Sequence, residues 1–228
     1  MSLSKWNEFF RNTLINCTSL ETLDLRRGIL SDYSVLGEIL PSLTNLKNLY
    51  MGAWYYDYTT HPQLHICSDY SPLANAKSLE YLYIENQETI TDLSFIEELT
   101  NLKTIIIKKT SIRKIPDLTK LTNLTTLTLN NNKISDISGV ANATNIIDLN
   151  LSYNGVNDIK PLENLKKLQK LELKNNSLTD NAYDSTGKAY YILTIFSDLN
   201  QNQDGKLKNL YLSGNSIEDF SMLQDSNL

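Results

Sequence analysis

The sequence predicts an α/β solenoid: a right-handed, curved superhelix of about eight repeats, with a parallel β-sheet on its concave face and an N-terminal helical cap. Three observations carry this. Apolar residues recur at a fixed period, with Leu102, Leu124, Ile146 and Leu168 opening four consecutive copies, each 22 residues after the last. Within a copy, Leu124-x-x-Leu127-x-Leu129 alternates with period two, which points its leucines to one side of a short strand. An asparagine recurs in phase at Asn132, Asn154 and Asn176. A period of this size marks stacked units, each burying its apolar face only against its neighbours.

Residues Ser4 to Asn16 suit an amphipathic helix, with Ser4 as N-cap and Trp6, Phe9, Phe10 and Leu14 on one face. Stacking leaves core open at the ends, so residues 1–19 are read as a cap and 20–228 as the repeat domain. The first copy is Leu20-Leu23-Leu25, followed by Leu30, Tyr33 and Leu36; the second opens at Leu46-Leu49-Met51. From Leu46 to Leu79 the spacing stretches to 33 residues, which places an insertion near 54–66. Leu79-Leu82-Ile84 and Leu102-Ile105-Ile107 open the next two copies, and the copies from Leu124, Ile146 and Leu168 follow in strict phase. The last, Leu207-Leu210-Leu212-x-x-Asn215, begins 39 residues after Leu168, so a second insertion falls near 179–203. Inside it, Ala189 to Phe196 has a helical pattern.

The asparagines Asn132, Asn154, Asn176 and Asn215 are expected to turn the chain after each strand, their buried amides bonding backbone groups of their own and adjacent coils. The first four copies lack this asparagine; Gly28 and Thr110 replace it in two of them. The Ile-x-Asp-Ile-x-x-Leu half of each copy returns along the convex side and adds its apolar residues to one continuous core.

Composition narrows the function classes. The chain has 228 residues and a net charge of −5, which suits a folded protein and argues against general nucleic-acid binding. No apolar run is long enough to span a membrane, and the first residues lack a secretory-signal layout. Cys17 and Cys67 make no disulfide framework, and Cys67 falls on a core position. His61 and His65, with Cys67 and Asp69 after them, have zinc-ligand chemistry, but Pro62 disfavours a helix presenting both histidines. Asn200, Asn202 and Asp204, followed by Gly205, begin like a calcium loop; Tyr211 stands where the bidentate glutamate belongs, so a turn is the better reading. No nucleophile–base arrangement, phosphate-cradling loop or paired-carboxylate cleft emerges. The sequence therefore calls for no cofactor and for recognition, not catalysis.

Between the buried leucines, each strand sends side chains out over the concave face. The central column is Asp24, Tyr50, Tyr83, Ile106, Thr128, Asn150, Glu172 and Tyr211. Tyr50, Tyr81, Tyr83 and Ile106 crowd the N-terminal half, and Trp54 and Tyr55 spring from the same strand end as Tyr50. Rigid aromatic side chains dominate binding hot spots, so these residues, with Lys108, are the candidate partner-binding surface. Arg26, Arg27, Lys108, Lys109 and Lys174 flank the column; guiding an acidic partner is one use for them, and a solvated face is the better reading.

These residues follow the leucine-rich repeat consensus, and the 22-residue form with Asp-Ile-x-x-Leu on the convex side resembles the internalin-like bacterial family. The resemblance covers about residues 20–223. It implies a secreted or cell-surface protein that binds a protein partner through the concave sheet. Cytosolic 22-residue repeat proteins that regulate phosphatases share the period, so an intracellular scaffold is the alternative, and a structural spacer is a third. After Leu223 only Gln-Asp-Ser-Asn-Leu remains, which is too little to cover a leucine-lined edge. Continuation of the natural chain, local closure by Phe220 and Met222, or self-association through that edge would each resolve it.

Overall fold

The computed structural model describes residues 3–26, 33–52, 67, 69–183, 189–191, 194–196, 199 and 207–219. Eight parallel strands form one open sheet. The first seven are β1 (Thr22–Asp24), β2 (Asn48–Gly52), β3 (Tyr81–Gln87), β4 (Thr104–Thr110), β5 (Thr126–Thr128), β6 (Asp148–Asn150) and β7 (Lys170–Glu172). A separate hairpin of β8 (Asn181–Tyr183) and β9 (Ala189–Tyr191) intervenes before the eighth, β10 (Asn209–Tyr211). Each strand of the sheet pairs with the next repeat's strand, and the register steps by whole copies: Ile105 faces Leu82 on one side and Leu127 on the other. The repeated apolar positions are the core. Leu82, Ile105, Leu127, Leu149 and Leu171 are fully buried, as are Ile84, Ile107, Leu129, Leu151 and Leu173 one step further along each strand.

The asparagine ladder turns the chain. The Asn154 amide nitrogen donates to the carbonyls of Leu129 and Leu151, both at 2.9 Å, and its oxygen accepts the Ile134 N–H at 2.9 Å. Asn132, Asn176 and Asn215 repeat this, each bonding one carbonyl in its own copy and one in the copy before. The amide thus satisfies buried backbone groups that a tight turn would orphan. In the third and fourth copies, which lack the asparagine, the strand runs on. Gln87 and Thr110 occupy its place in the third and fourth copies and pair in register, so β3 and β4 reach seven residues where β5, β6 and β7 have three. The Thr110 hydroxyl donates to the Asn132 oxygen at 2.7 Å, and Gln87 accepts the Tyr70 hydroxyl at 2.9 Å.

A second asparagine series runs along the opposite side of each coil, where the chain enters the strand. Asn45, Asn101, Asn123 and Asn145 each donate to a carbonyl of the copy before, those of Thr18, Lys77, Thr100 and Thr122. Convex turns are started by aspartates: Asp69, Asp92, Asp136 and Asp158 each accept the N–H two residues on, at 2.8–3.2 Å. Such side-chain turns favour the short 3-10 helices that follow, as at Ser71–Asn75, Ser94–Glu98, Ser138–Val140 and Lys160–Leu162. The fourth copy has Lys114 in the aspartate's place, and its convex segment is extended, bridging to Asp136. Gly139 lies against that segment; a Cβ there would meet the Pro116 and Ile115 carbonyl oxygens at 2.0 and 2.4 Å.

At the N-terminus, α1 (Leu3–Asn12) is followed by a 3-10 turn at Leu14–Asn16. Ser4 therefore lies inside the first turn and is not the helix cap. Phe10 and Leu14 are buried, whereas Phe9 is 42% exposed, so the expected apolar face is narrower than the sequence pattern. The cause is angular: on a helix with period 3.6, adjacent Phe9 and Phe10 cannot both face the same neighbour. Arg11 forms a two-pronged bond with Glu38, both contacts at 2.7 Å, on α2 (Ser34–Ile39) of the first repeat.

The second insertion departs from its expected helix. Strands β8 and β9 pair antiparallel, so the start of the 189–196 segment is a strand. Consecutive tyrosines suit a strand, and the opposing one supplies their backbone partners. Helix is confined to residues 194–196 and 199 among those described, with Ile195, Phe196 and Leu199 buried in the core. Thr179 bridges to Ser216, so the solenoid ladder continues through that residue before the chain departs.

Candidate functional site

The sheet register assembles one column across the concave face. Asp24 pairs with Tyr50, Tyr50 with Tyr83, Tyr83 with Ile106, and the line continues through Thr128, Asn150 and Glu172 to Tyr211. Period-two alternation forces these side chains outward because their neighbours on either side fill the core.

On β2 and β3 the tyrosines touch. The Tyr50 ring lies 5.2 Å from that of Tyr81 and 5.9 Å from that of Tyr83, tilted by 37° and 38°. The Arg26 guanidinium sits over two of these rings, 4.9 Å from the Tyr50 centroid and 5.8 Å from that of Tyr83. Asp24 fixes it from behind: Arg26 Nη2 donates to Oδ2 at 2.7 Å and Nε to Oδ1 at 3.0 Å. A Cβ at Gly52 would crowd the Glu85 carbonyl oxygen of β3 at 3.0 Å, while Arg26 Cγ at 3.6 Å would be in ordinary contact. Lys108 lies 5.4 Å from the Tyr83 centroid.

Glu85 closes the patch. It accepts the Tyr83 hydroxyl and pairs with Lys109 at 3.1 Å and Lys108 at 3.5 Å. Burial pushes the Glu85 carboxyl up, but the bonds from Tyr83 and Lys109 and the charge of Lys108 outweigh it and hold it below its ordinary value. Burial first, and the bond to Glu85 second, push the Tyr83 phenol well above its ordinary value. It stays a neutral donor at any physiological pH.

Tyr50, Tyr81, Tyr83, Ile106 and Lys108 are therefore brought together; Trp54, Tyr55 and Arg27 lie outside the described residues. So do Asn200, Asn202, Asp204 and both histidines, while Cys67 is buried at its core position. Among the described residues no cluster of three His, Cys, Asp or Glu side chains is placed to hold a metal ion. Of the flanking cations, Arg26 is paired with Asp24, Lys108 and Lys109 with Glu85, and Lys174 with Glu172 at 3.7 Å. Sequence reasoning placed Asp24 only as a column position and passed over Glu85, although each sits two residues from a patch member along the chain. What the patch offers chemically is ring faces for stacking, held rigid by ion pairs, with phenol and carboxylate groups at its rim.

Residues 100–142 match the family described as Leucine Rich repeats (2 copies). No curated protein matches the chain. Among solved structures it is similar to an internalin, InlF, from Listeria monocytogenes, with TM-score 0.61 and 27% identity over 92% of this chain. The match spans 66% of that internalin, just under two thirds of its length. Internalin C2 (InlC2) from the same organism gives TM-score 0.64 at 24% identity, covering 90% of this chain and 76% of that one. The leucine-rich repeat ectodomain of the plant receptor kinase GASSHO1/SCHENGEN3 from Arabidopsis thaliana, solved in complex with CASPARIAN STRIP INTEGRITY FACTOR 2, gives 0.62 at 19% identity. That match covers 93% of this chain and 26% of the receptor; at such identities the likeness is one of fold.

Proposed function

We propose that this leucine-rich repeat protein, internalin-like in its repeats and its fold, is a non-catalytic module of a secreted or cell-surface bacterial protein that captures a protein partner on its concave face. Leucine-rich repeat proteins are in general interaction modules, and the plant ectodomain above was solved with a bound partner. The observation that carries the reading is the Tyr50–Tyr81–Tyr83 cluster clamped by Arg26 on a rigid sheet. Aromatic rings already ordered in the free protein lose little entropy on binding, which is how hot-spot residues contribute most of an interface's energy.

The test is a triple substitution, Tyr50→Ser, Tyr83→Ser and Ile106→Ser, in the intact chain. Each side chain points away from the core, so the melt should fall only modestly: ring and cation contacts at exposed sites contribute about 0.5–1 kcal/mol each. Chemical cross-linking to surface proteins of candidate host cells, read by mass spectrometry, should identify a partner with the unchanged chain and lose it with the variant. A variant that captures the same partner equally well would remove the concave patch from the function.

A further inference from the structure

At the far end of the concave face the same three residue types recur. The Lys174 ammonium lies 4.4 Å from the Tyr211 ring centroid, and Glu172 holds both Lys170 at 2.7 Å and Lys174 at 3.7 Å. At the near end the set is Tyr83, Glu85 and Lys108. In each, the lysine stands on the inner side of its tyrosine, on β4 beside β3 and just past β7 beside β10. Tyr211 is 38% exposed and Tyr153, at the rim, 52%. Tyr153 N–H donates to the Lys174 carbonyl at 2.7 Å, which places it beside this second set. Its φ of 58° is a left-handed conformation that disfavours a bulky side chain, yet an aromatic stands there in full view of solvent.

Between the two sets the central column carries uncharged residues, Ile106, Thr128 and Asn150, and Asp148 beside them is paired with Lys170 at 3.4 Å. The charges on this face also cancel locally. Arg26, Lys108, Lys170 and Lys174 each contact a carboxylate among Asp24, Glu85, Asp148 and Glu172, although the chain as a whole carries −5. A ligand of either sign gains little here, because it must first break an existing pair.

We propose that Tyr211 and Lys174, with Tyr153, form a second contact patch, and that the two patches grip one extended, charge-poor polypeptide segment laid across the strands. This rests on the reading of the concave face as the binding surface. Five strand spacings separate Tyr83 from Tyr211. That is about 24 Å at roughly 4.8 Å each, a span that about seven extended residues cover. Two ring-lined patches at that distance select a segment with an aromatic or proline side chain at each end.

The probe is a random dodecapeptide library displayed on phage and selected on the immobilised chain, with enriched sequences remade as synthetic peptides for fluorescence anisotropy. Enriched peptides should be poor in charge and carry ring-bearing residues about seven positions apart. Tyr211→Ala should weaken binding at least about tenfold, Tyr211→Phe should leave it within about twofold, and removing the peptide's matching ring should cost no more once Tyr211 is gone. Raising salt from about 50 to about 500 mM should change affinity less than about threefold. If Tyr83→Ser abolishes peptide binding while Tyr211→Ala and Lys174→Ala leave it unchanged, the second patch is wrong and the N-terminal one stands. A steep salt dependence overturns the charge-poor ligand. Failure to enrich any peptide over the Tyr50→Ser, Tyr83→Ser variant overturns the extended segment, and leaves a folded protein or a glycan for the first patch.

Discussion

Asn154 shows how much a single side chain does in a stacked structure. Its amide closes its own turn and bonds the coil before it, so its loss leaves the Ile134 N–H unpaired and takes one of two donors from each of the Leu129 and Leu151 carbonyls, which keep Asn132 and Asn176. Asn154→Ala should lower stability by about 1–3 kcal/mol, the cost of a buried group left unpaired. A thermal melt indistinguishable from that of the unchanged chain would contradict the ladder. Tyr153, one position earlier, belongs to a different series. Asn86, Lys109, Asn131, Tyr153 and Asn175 all have positive φ, and Gly214 takes the same place in the last copy. Tyrosine is the worst fitted of these, so Tyr153→Asn should raise stability by up to about 1 kcal/mol in denaturant unfolding. The ladder asparagines were legible in the sequence because they recur in phase. The left-handed series was not, because asparagine, lysine, tyrosine and glycine all fill its places and no single side-chain type marks it.

Repeats differ as elements because of what occupies a few fixed positions. Gly139 is required by its neighbour: the fourth copy, with Lys114 in place of aspartate, lays an extended convex segment against it. Gly139→Ala should destabilise by about 1–3 kcal/mol, the range for overpacking. The same change at Gly155, where a Cβ would find nothing nearer than 3.6 Å, should be far milder. A comparison of the two melts checks this. The second asparagine series was also written in the sequence, as Thr-Asn-Leu at 44–46, 100–102 and 122–124 and Thr-Asn-Ile at 144–146. The helix expected over 189–196 holds only at its end, 194–196, among the described residues. Its apolar spacing fitted a helix, but its start was claimed by a strand partner at 181–183, and pairing between segments is invisible to a local pattern.

For the whole molecule, the ion pairs and turn carboxylates set how stability responds to pH. Bonds from Thr119 hold Asp117 below its ordinary value, and the Lys120 and Lys103 ammonium groups do the same for Glu98 and Glu80. Burial raises Asp136, but the bonds from Ser138 and the charge of Lys114 outweigh it. A carboxyl depressed in the folded state stabilises it fully above the ordinary carboxylate range and loses that contribution as pH falls through the depressed value. The melting temperature should therefore be flat from about pH 7 to about pH 5 and fall below about pH 4. Burial, then the charges of Tyr70 and Cys67, push Tyr33 well above its ordinary value, and Tyr83 shifts the same way. Their contribution is complete below about pH 10 and is lost as pH rises beyond it. A melt that declines steadily between about pH 5 and about pH 9 would show that other groups govern stability.

The repeat count, the strand register, the buried leucines and the column of outward residues all follow from the amino-acid order, because a fixed period dictates which positions face the core and which face solvent. The tyrosines of the candidate site could be named from it too. How neighbouring copies meet is a property of the folded chain. Arg26 clamped over Tyr50 and Tyr83, the lysines neutralised by Glu85 and Glu172, and Lys174 set over Tyr211 of the next copy all depend on contacts between coils. The period fixes a residue's place within its own coil; the charge and shape of the face arise from what the next coil sets beside it.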